Sequence, residues 1–233
     1  MFLVVFDFDH TIIDENSDLH INKLFPSDET RSIAEKTRPQ FDCWTDRMQE
    51  VFRQLHQFNI KQQDYIENMQ QIPLTPGFLH LIQYLHSLPN SHLIIASDSN
   101  LVFIDTILKH HQLDCAFKDI FTNPAYFSQE NGCLIIEQYG QQTCPTCPSN
   151  MCKREIIEKY IHAKFPSDTR VLFVGDGHND VCAAVSLKKG DLVCARSGYR
   201  MAKELKTSKL QAEVFEWTDG KQIEDFIKEN WLK

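Results

Sequence analysis

FLVVFDFDHT, residues 2–11, decides the fold: five apolar residues run straight into two aspartates spaced two apart, then a threonine. FLVVF has the length and the branched, aromatic composition of a parallel strand buried on both faces. The run stops abruptly in acid. Asp7 and Asp9 therefore fall at the carboxyl end of a strand, where open α/β sheets build their sites. Far along the chain VLFVGDGHND, residues 171–180, repeats the layout, with Asp176 and Asp180 in and just after a glycine turn. Four carboxylates delivered by two strand ends repel one another unless a hard cation lies among them. Mg²⁺ is the usual one where a phosphate shares the site. Singly, each aspartate could be a turn residue or a helix cap. Two separate clusters, each closing a strand-like run, make that the weaker reading, and the pair points to phosphate chemistry.

The rest of the chain supplies the rhythm of a doubly wound α/β sheet. Further strands are expected at residues 93–96, 171–174, 191–195 and 213–217, with helical patterns between most of them. The first two strands, however, are separated by about 80 residues without a strand pattern. Within residues 42–58, Met48, Val51, Phe52, Leu55 and Phe58 share one face of a helix, and residues 64–72 continue similarly. Pro73 and Pro76-Gly77 then break the pattern before Phe78 opens a core helix. This predicts a core of residues 1–13 and 74–233 with a helical cap, residues 14–73, inserted after the first strand. An insert at that point overlies the strand ends and can exclude water. Its aromatics Phe41, Trp44 and Phe52 read as cap interior rather than as a ligand cage. Asn131-Gly132 between apolar runs predicts a short hairpin within residues 117–140.

Composition excludes several classes. The net charge is −8, from 24 basic and 32 acidic residues, with no Lys/Arg cluster to bind nucleic acid or an anionic membrane. No apolar stretch approaches membrane-spanning length. Eight cysteines without a secretion-type leader suggest reduced thiols in the cytoplasm. Cys144, Cys147 and Cys152 form C-x-x-C-x-x-x-x-C. A zinc site needs a fourth ligand, for which Cys133 is a candidate, and a redox C-x-x-C is a further reading. The favoured expectation is thiols packed around a helix start. The ten histidines show no ligand spacing.

The motifs resemble those of haloacid dehalogenase superfamily phosphohydrolases. Four signatures occur in order: Asp7-x-Asp9-x-Thr11, Ser97 closing the strand HLIIA, Lys153 on a later helix, and the loop from Asp176 to Asp180. FDFDHTIIDENSD, SDSN, FTNPAYF and CPTCPSNMCK further resemble the phosphoethanolamine/phosphocholine phosphatase subgroup, which includes pyridoxal phosphate phosphatases. His178 stands at a variable position of the last motif. The resemblance implies a Rossmann-like core with a C1-type cap, and Mg²⁺-dependent hydrolysis of a small phosphomonoester through an aspartyl-phosphate. In that scheme Asp7 is the nucleophile, Asp9 the general acid and base, and Thr11, Ser97 and Lys153 bind the phosphate. The metal would sit on the Asp7 side chain, the Asp9 backbone carbonyl and the Asp176 side chain, with Asp180 and Asn179 completing the arrangement. Lys159 and Lys164 are weaker rivals to Lys153. Asp18 and Asp98 match acids suited to an ammonium head group, so phosphoethanolamine or phosphocholine is the first substrate expected. Pyridoxal 5′-phosphate is the close alternative. Pyrophosphate hydrolysis, phosphotransfer and non-catalytic binding of a phosphometabolite stand further off.

Overall fold

The computed structural model describes residues 1–28, 43–140 and 143–232. Its centre is a six-stranded parallel sheet in the order β3-β2-β1-β6-β7-β8. The strands are β1 (Phe2–Phe6), β2 (Ser91–Asn100), β3 (Asp119–Asn123), β6 (Arg170–Gly175), β7 (Leu192–Arg196) and β8 (Glu213–Trp217). The chain builds outward from β1 to β3, then returns to the other side of β1 with β6. The order therefore reverses between β1 and β6, and a crevice opens there beyond the strand ends.

The continuous apolar runs are explained by burial on both faces. Along β1, Leu3 and Val5 point to one side and Val4 and Phe6 to the other, all without solvent exposure. Leu3 and Val5 pack with Ile157, Ala183 and Met201 of α6 (Lys153–Lys164), α7 (His178–Ser186) and α8 (Arg200–Leu205). Val4 and Phe6 pack with Phe78, Phe103 and Ile223 of α4 (Phe78–Ser87), α5 (Leu101–His110) and α9 (Gly220–Phe226). Period-two alternation thus serves two cores at once.

The insert after β1 carries α1 (Ser17–His20), α2 (Trp44–Gln57) and α3 (Gln62–Met69). The chain leaves and returns side by side: Ile13 bridges Leu74, Asp14 N–H donates to Pro73 O at 3.0 Å and Thr75 N–H to Ile12 O at 2.9 Å. Met48, Val51, Phe52 and Leu55 are buried along α2, as the helical spacing requires, while Phe58 lies past its end and is 43% exposed. Phe52 meets Phe103 of α5 with ring centroids 5.7 Å apart and Tyr65 at 6.1 Å. The inserted helices therefore extend the α4–α5–α9 core rather than forming an isolated one. Phe41 and Asp42 lie outside the described residues.

β1 and β8 coincide with the expected strands, and β2 and β6 run longer. β3 (DIFTN) is an edge strand whose half-polar sequence gives no apolar run, so the pattern misses it. The expected hairpin is present as β4 (Ala125–Phe127) paired antiparallel with β5 (Leu134–Ile136), and Gly132 takes φ +78° in its loop. Among the described residues no helix is long and apolar enough to cross a membrane.

Candidate active site

β1 ends at Phe6, and Asp7 continues its line by donating its N–H to Val174 O of β6 at 2.9 Å. The chain then makes one wide turn over residues 8–12, with His10 at φ +54°. Arg196, at the end of β7, clamps this turn by donating to His10 O at 2.6 Å and to the Asp14 carboxylate. No local pattern in the sequence marks Arg196 for that role.

Across the crevice, β6 ends in Gly175 and the chain turns into α7. Asp180 Oδ2 folds back to accept the N–H groups of Asp176 at 3.0 Å and Gly177 at 2.9 Å. This explains the first glycine of the motif: a Cβ at position 175 would lie 2.5 Å from Asp180 Oδ2. The other oxygen of Asp180 accepts from Lys153 Nζ at 2.6 Å, and the same ammonium lies 2.7 Å from Asp7 Oδ1. Lys153 is the first residue of α6 and is 1% exposed. Lys159 and Lys164 pair instead with Glu155 and Asp119.

Carboxylate oxygens of Asp7, Asp176 and Asp180 lie within 4.8 Å of one another. Three buried acids with one ammonium leave the cluster short of positive charge. Burial, then the negative Asp7 and Asp180, push Asp176 up to about 9, with Lys153 opposing. Burial raises Asp180 to about 6, and it raises Asp7 against the pull of Lys153. Burial also works against the Lys153 charge, but Asp180, Asp7 and Asp98 outweigh it and hold the ammonium above the ordinary lysine range. An all-oxygen donor set that lacks positive charge fits a hard divalent cation such as Mg²⁺. Asp7 and Asp176 would hold it, with Asp180 beside them.

Asp9 stands apart from this cluster. Its Oδ1 accepts Ser17 N–H at 2.9 Å, and burial, then the nearby Asp18, raise it well above the ordinary carboxylate range. Thr11, expected at the phosphate, has its hydroxyl directed to Asp176 Oδ1 at 3.4 Å. Ser97 is fully buried in β2, where its Oγ accepts Ser99 N–H at 3.3 Å. Ser99 and Ser17 join their hydroxyls at 2.9 Å, tying β2 to α1.

A cavity of about 270 Å³ borders Lys153 and Asn179, and Asp98, Trp44 and Met151 line its walls. Trp44 packs against the hydrophobic core, as expected of a cap aromatic, and also lines this cavity. Its indole N–H donates to Asp18 Oδ2 at 2.5 Å. Asp18 itself is 4% exposed, and burial raises it to about 7.

The sequence pattern of the family described as "Putative Phosphatase" matches residues 2–230. A bovine relative, pyridoxal phosphate phosphatase PHOSPHO2, is 34% identical over 235 residues, covering 97% of each chain. A chicken phosphoethanolamine/phosphocholine phosphatase is 32% identical over 242 residues, covering 98% of this chain and 88% of its own. Among solved structures, a substrate-bound phosphoserine phosphatase superposes with a TM-score of 0.64 at 18% identity, covering 96% of this chain and 97% of its own.

Proposed function

Because the chain belongs to the Putative Phosphatase family and is a phosphoric monoester hydrolase of the haloacid dehalogenase type, we propose that it hydrolyses a small aminoalkyl phosphate, phosphoethanolamine or phosphocholine, through an aspartyl-phosphate on Asp7. One observation carries this reading: Lys153 holds Asp7 at 2.7 Å inside a three-carboxylate cluster, beside a cavity walled by Asp98 and Trp44.

When bound, Mg²⁺ would neutralise the acids and the phosphate dianion, so that a carboxylate can approach phosphorus. Asp7 would supply one oxygen to phosphorus as the bond from phosphorus to the substrate oxygen breaks. Asp9, whose hold on a proton is strengthened by burial and by the nearby Asp18, would give its proton to the leaving alkoxide. In the second step Asp9 would take a proton from water. That water attacks phosphorus and releases Asp7. Lys153 would keep Asp7 ionised and placed, and would bind phosphate oxygens with Ser97. Thr11 would keep Asp176 in position. Residues 14–73 would act as the cap that limits water above the strand ends.

Asp98 supports the ammonium assignment as an acid on the cavity wall, and Trp44 offers an aromatic surface to the same head group. The flat indole also favours a second reading, pyridoxal 5′-phosphate, whose ring could stack there. The eight cysteines, all among the described residues and none in a disulfide, support a reducing, cytoplasmic setting. Phosphate release from a panel of phosphomonoesters, with and without Mg²⁺, tests the proposal. Mg²⁺-dependent preference for the two ammonium esters is expected. Preference for pyridoxal 5′-phosphate would keep the mechanism and replace the substrate, whereas no release from any ester would overturn the hydrolase.

A further inference from the structure

Cys144, Cys147, Cys152 and Cys182 place their sulfurs within 4.8 Å of one another, outside the acidic cluster. The fourth member is not Cys133, which lies by the β4–β5 hairpin with its thiol on backbone carbonyls of Phe52 and Leu134. It is Cys182 of α7, 30 residues beyond Cys152 and invisible to any local spacing rule. Cys144 Sγ stands 3.5 Å from Cys182 Sγ, and Cys152 Sγ stands 4.0 Å from it. Zinc–thiolate bonds of about 2.3 Å in a tetrahedron set the sulfurs about 3.8 Å apart. The two observed separations bracket that figure. An iron–sulfur cage would spread its thiolates further, and a redox pair needs only two sulfurs.

We propose that these four cysteines form a structural zinc site. The C-x-x-C turn at Cys144 and Cys147 supplies one pair, and Cys152, just before α6, and Cys182 of α7 supply the other. Binding converts four thiols to thiolates and releases their protons. The Thr146 hydroxyl lies 3.2 Å from Cys144 Sγ and 3.9 Å from Cys182 Sγ, ready to donate to thiolate. A cleft lined by Cys147, Arg154, His178 and Cys182 gives the ion a route from solvent, and Arg154 brings positive charge beside a dianionic centre. The site joins two elements that also carry catalytic candidates. Lys153 follows Cys152, and Asp180 precedes Cys182 by two positions. Zinc would fix the loop before α6 to α7 and so set the Lys153–Asp180 contact.

The test uses the full chain, purified under reductant from cells supplied with zinc. Elemental analysis should find about one zinc per chain after gel filtration. A strong chelator should raise by four the number of cysteines that react promptly with a thiol reagent, Cys133 and Cys194 staying slow through burial alone. Cobalt loaded into chelated protein should show the thiolate charge-transfer absorption of a tetrahedral site. Cys147→Ser should retain at least tenfold less zinc, while Cys115→Ser, at an exposed position, retains the full equivalent. If Cys147→Ser does not fold, the zinc content and cobalt spectrum of the unaltered protein still decide. Zinc far below one equivalent without a cobalt–thiolate band, iron in place of zinc, or a disulfide among the four would each overturn the site.

Discussion

Two clusters of side chains able to hold a metal both draw on the starts of α6 and α7 and differ in donor chemistry. The acidic one gathers Asp7, Asp176 and Asp180 around Lys153 at the strand ends, and the thiol one gathers Cys144, Cys147 and Cys152 before α6 with Cys182, two residues beyond Asp180 on α7. In the first, hard oxygens gather at Lys153, which itself borders the cavity, and burial and crowding raise all three acids. In the second, soft sulfurs are spaced for a closed tetrahedron. The contrast teaches how one short stretch can separate labour. On the proposed assignments, the oxygen site would take Mg²⁺ beside the substrate, while the sulfur site would hold the backbone that aims Lys153 and Asp180.

The sharpest break is Asp7→Asn. It should lower turnover about 10³-fold or more, measured as phosphate release under saturating substrate. Mg²⁺ binding should remain measurable by calorimetry and zinc content should stay unchanged. Lys153→Met should follow. Removing the one ammonium between buried Asp7 and Asp180 should cost about 3–5 kcal/mol in denaturant unfolding without divalent cation. Added Mg²⁺ should recover part of that loss, again with zinc retained. A fall in zinc for either variant would mean that the two clusters are not separate.

Asp18→Asn sharpens the comparison from the substrate side. The folded protein raises Asp18 to about 7 from the ordinary carboxylate value. Stability linked to its proton is therefore fully present at low pH and is lost as pH rises through about 7. Asparagine keeps an acceptor for Trp44 without the charge, so the variant should be more stable at pH 8 by a few kcal/mol at most, on the order of the linkage energy, and hardly changed at pH 4. Equal effects at both pH values would remove the buried charge as the cause. The smallest effect is expected at the cavity wall, where Asp98→Asn should raise KM for phosphoethanolamine about tenfold and leave a neutral aryl phosphate nearly unchanged. Equal shifts for both esters would end the head-group assignment.

What was legible in the sequence follows the same division. β1 and β6 announce themselves because burial on both faces demands unbroken apolar runs, and the acids that end them stand out by contrast. The break before the helix that opens at Phe78 was legible through Pro73 and Pro76-Gly77, while the pairing of the insert's exit and return was not. β3 escaped because an edge strand needs only a partial apolar face. Cys182, Arg196 and Trp44 in its bond to Asp18 escaped for a different reason. Each meets its partners across the fold, Arg196 clamping the residue 8–12 turn from the end of β7, and no periodicity encodes such meetings. Ser17 and Ser99, 82 positions apart, are joined in the same way.

The most direct test of the account is to acid-quench the enzyme during Mg²⁺-supported turnover of phosphoethanolamine and to map the phosphoryl group by peptide mass spectrometry. The account predicts one phosphoryl group on the peptide that begins the chain, localised to Asp7 and absent in Asp7→Asn. A phosphoryl group on another side chain, or brisk phosphate release by Asp7→Asn, would contradict it.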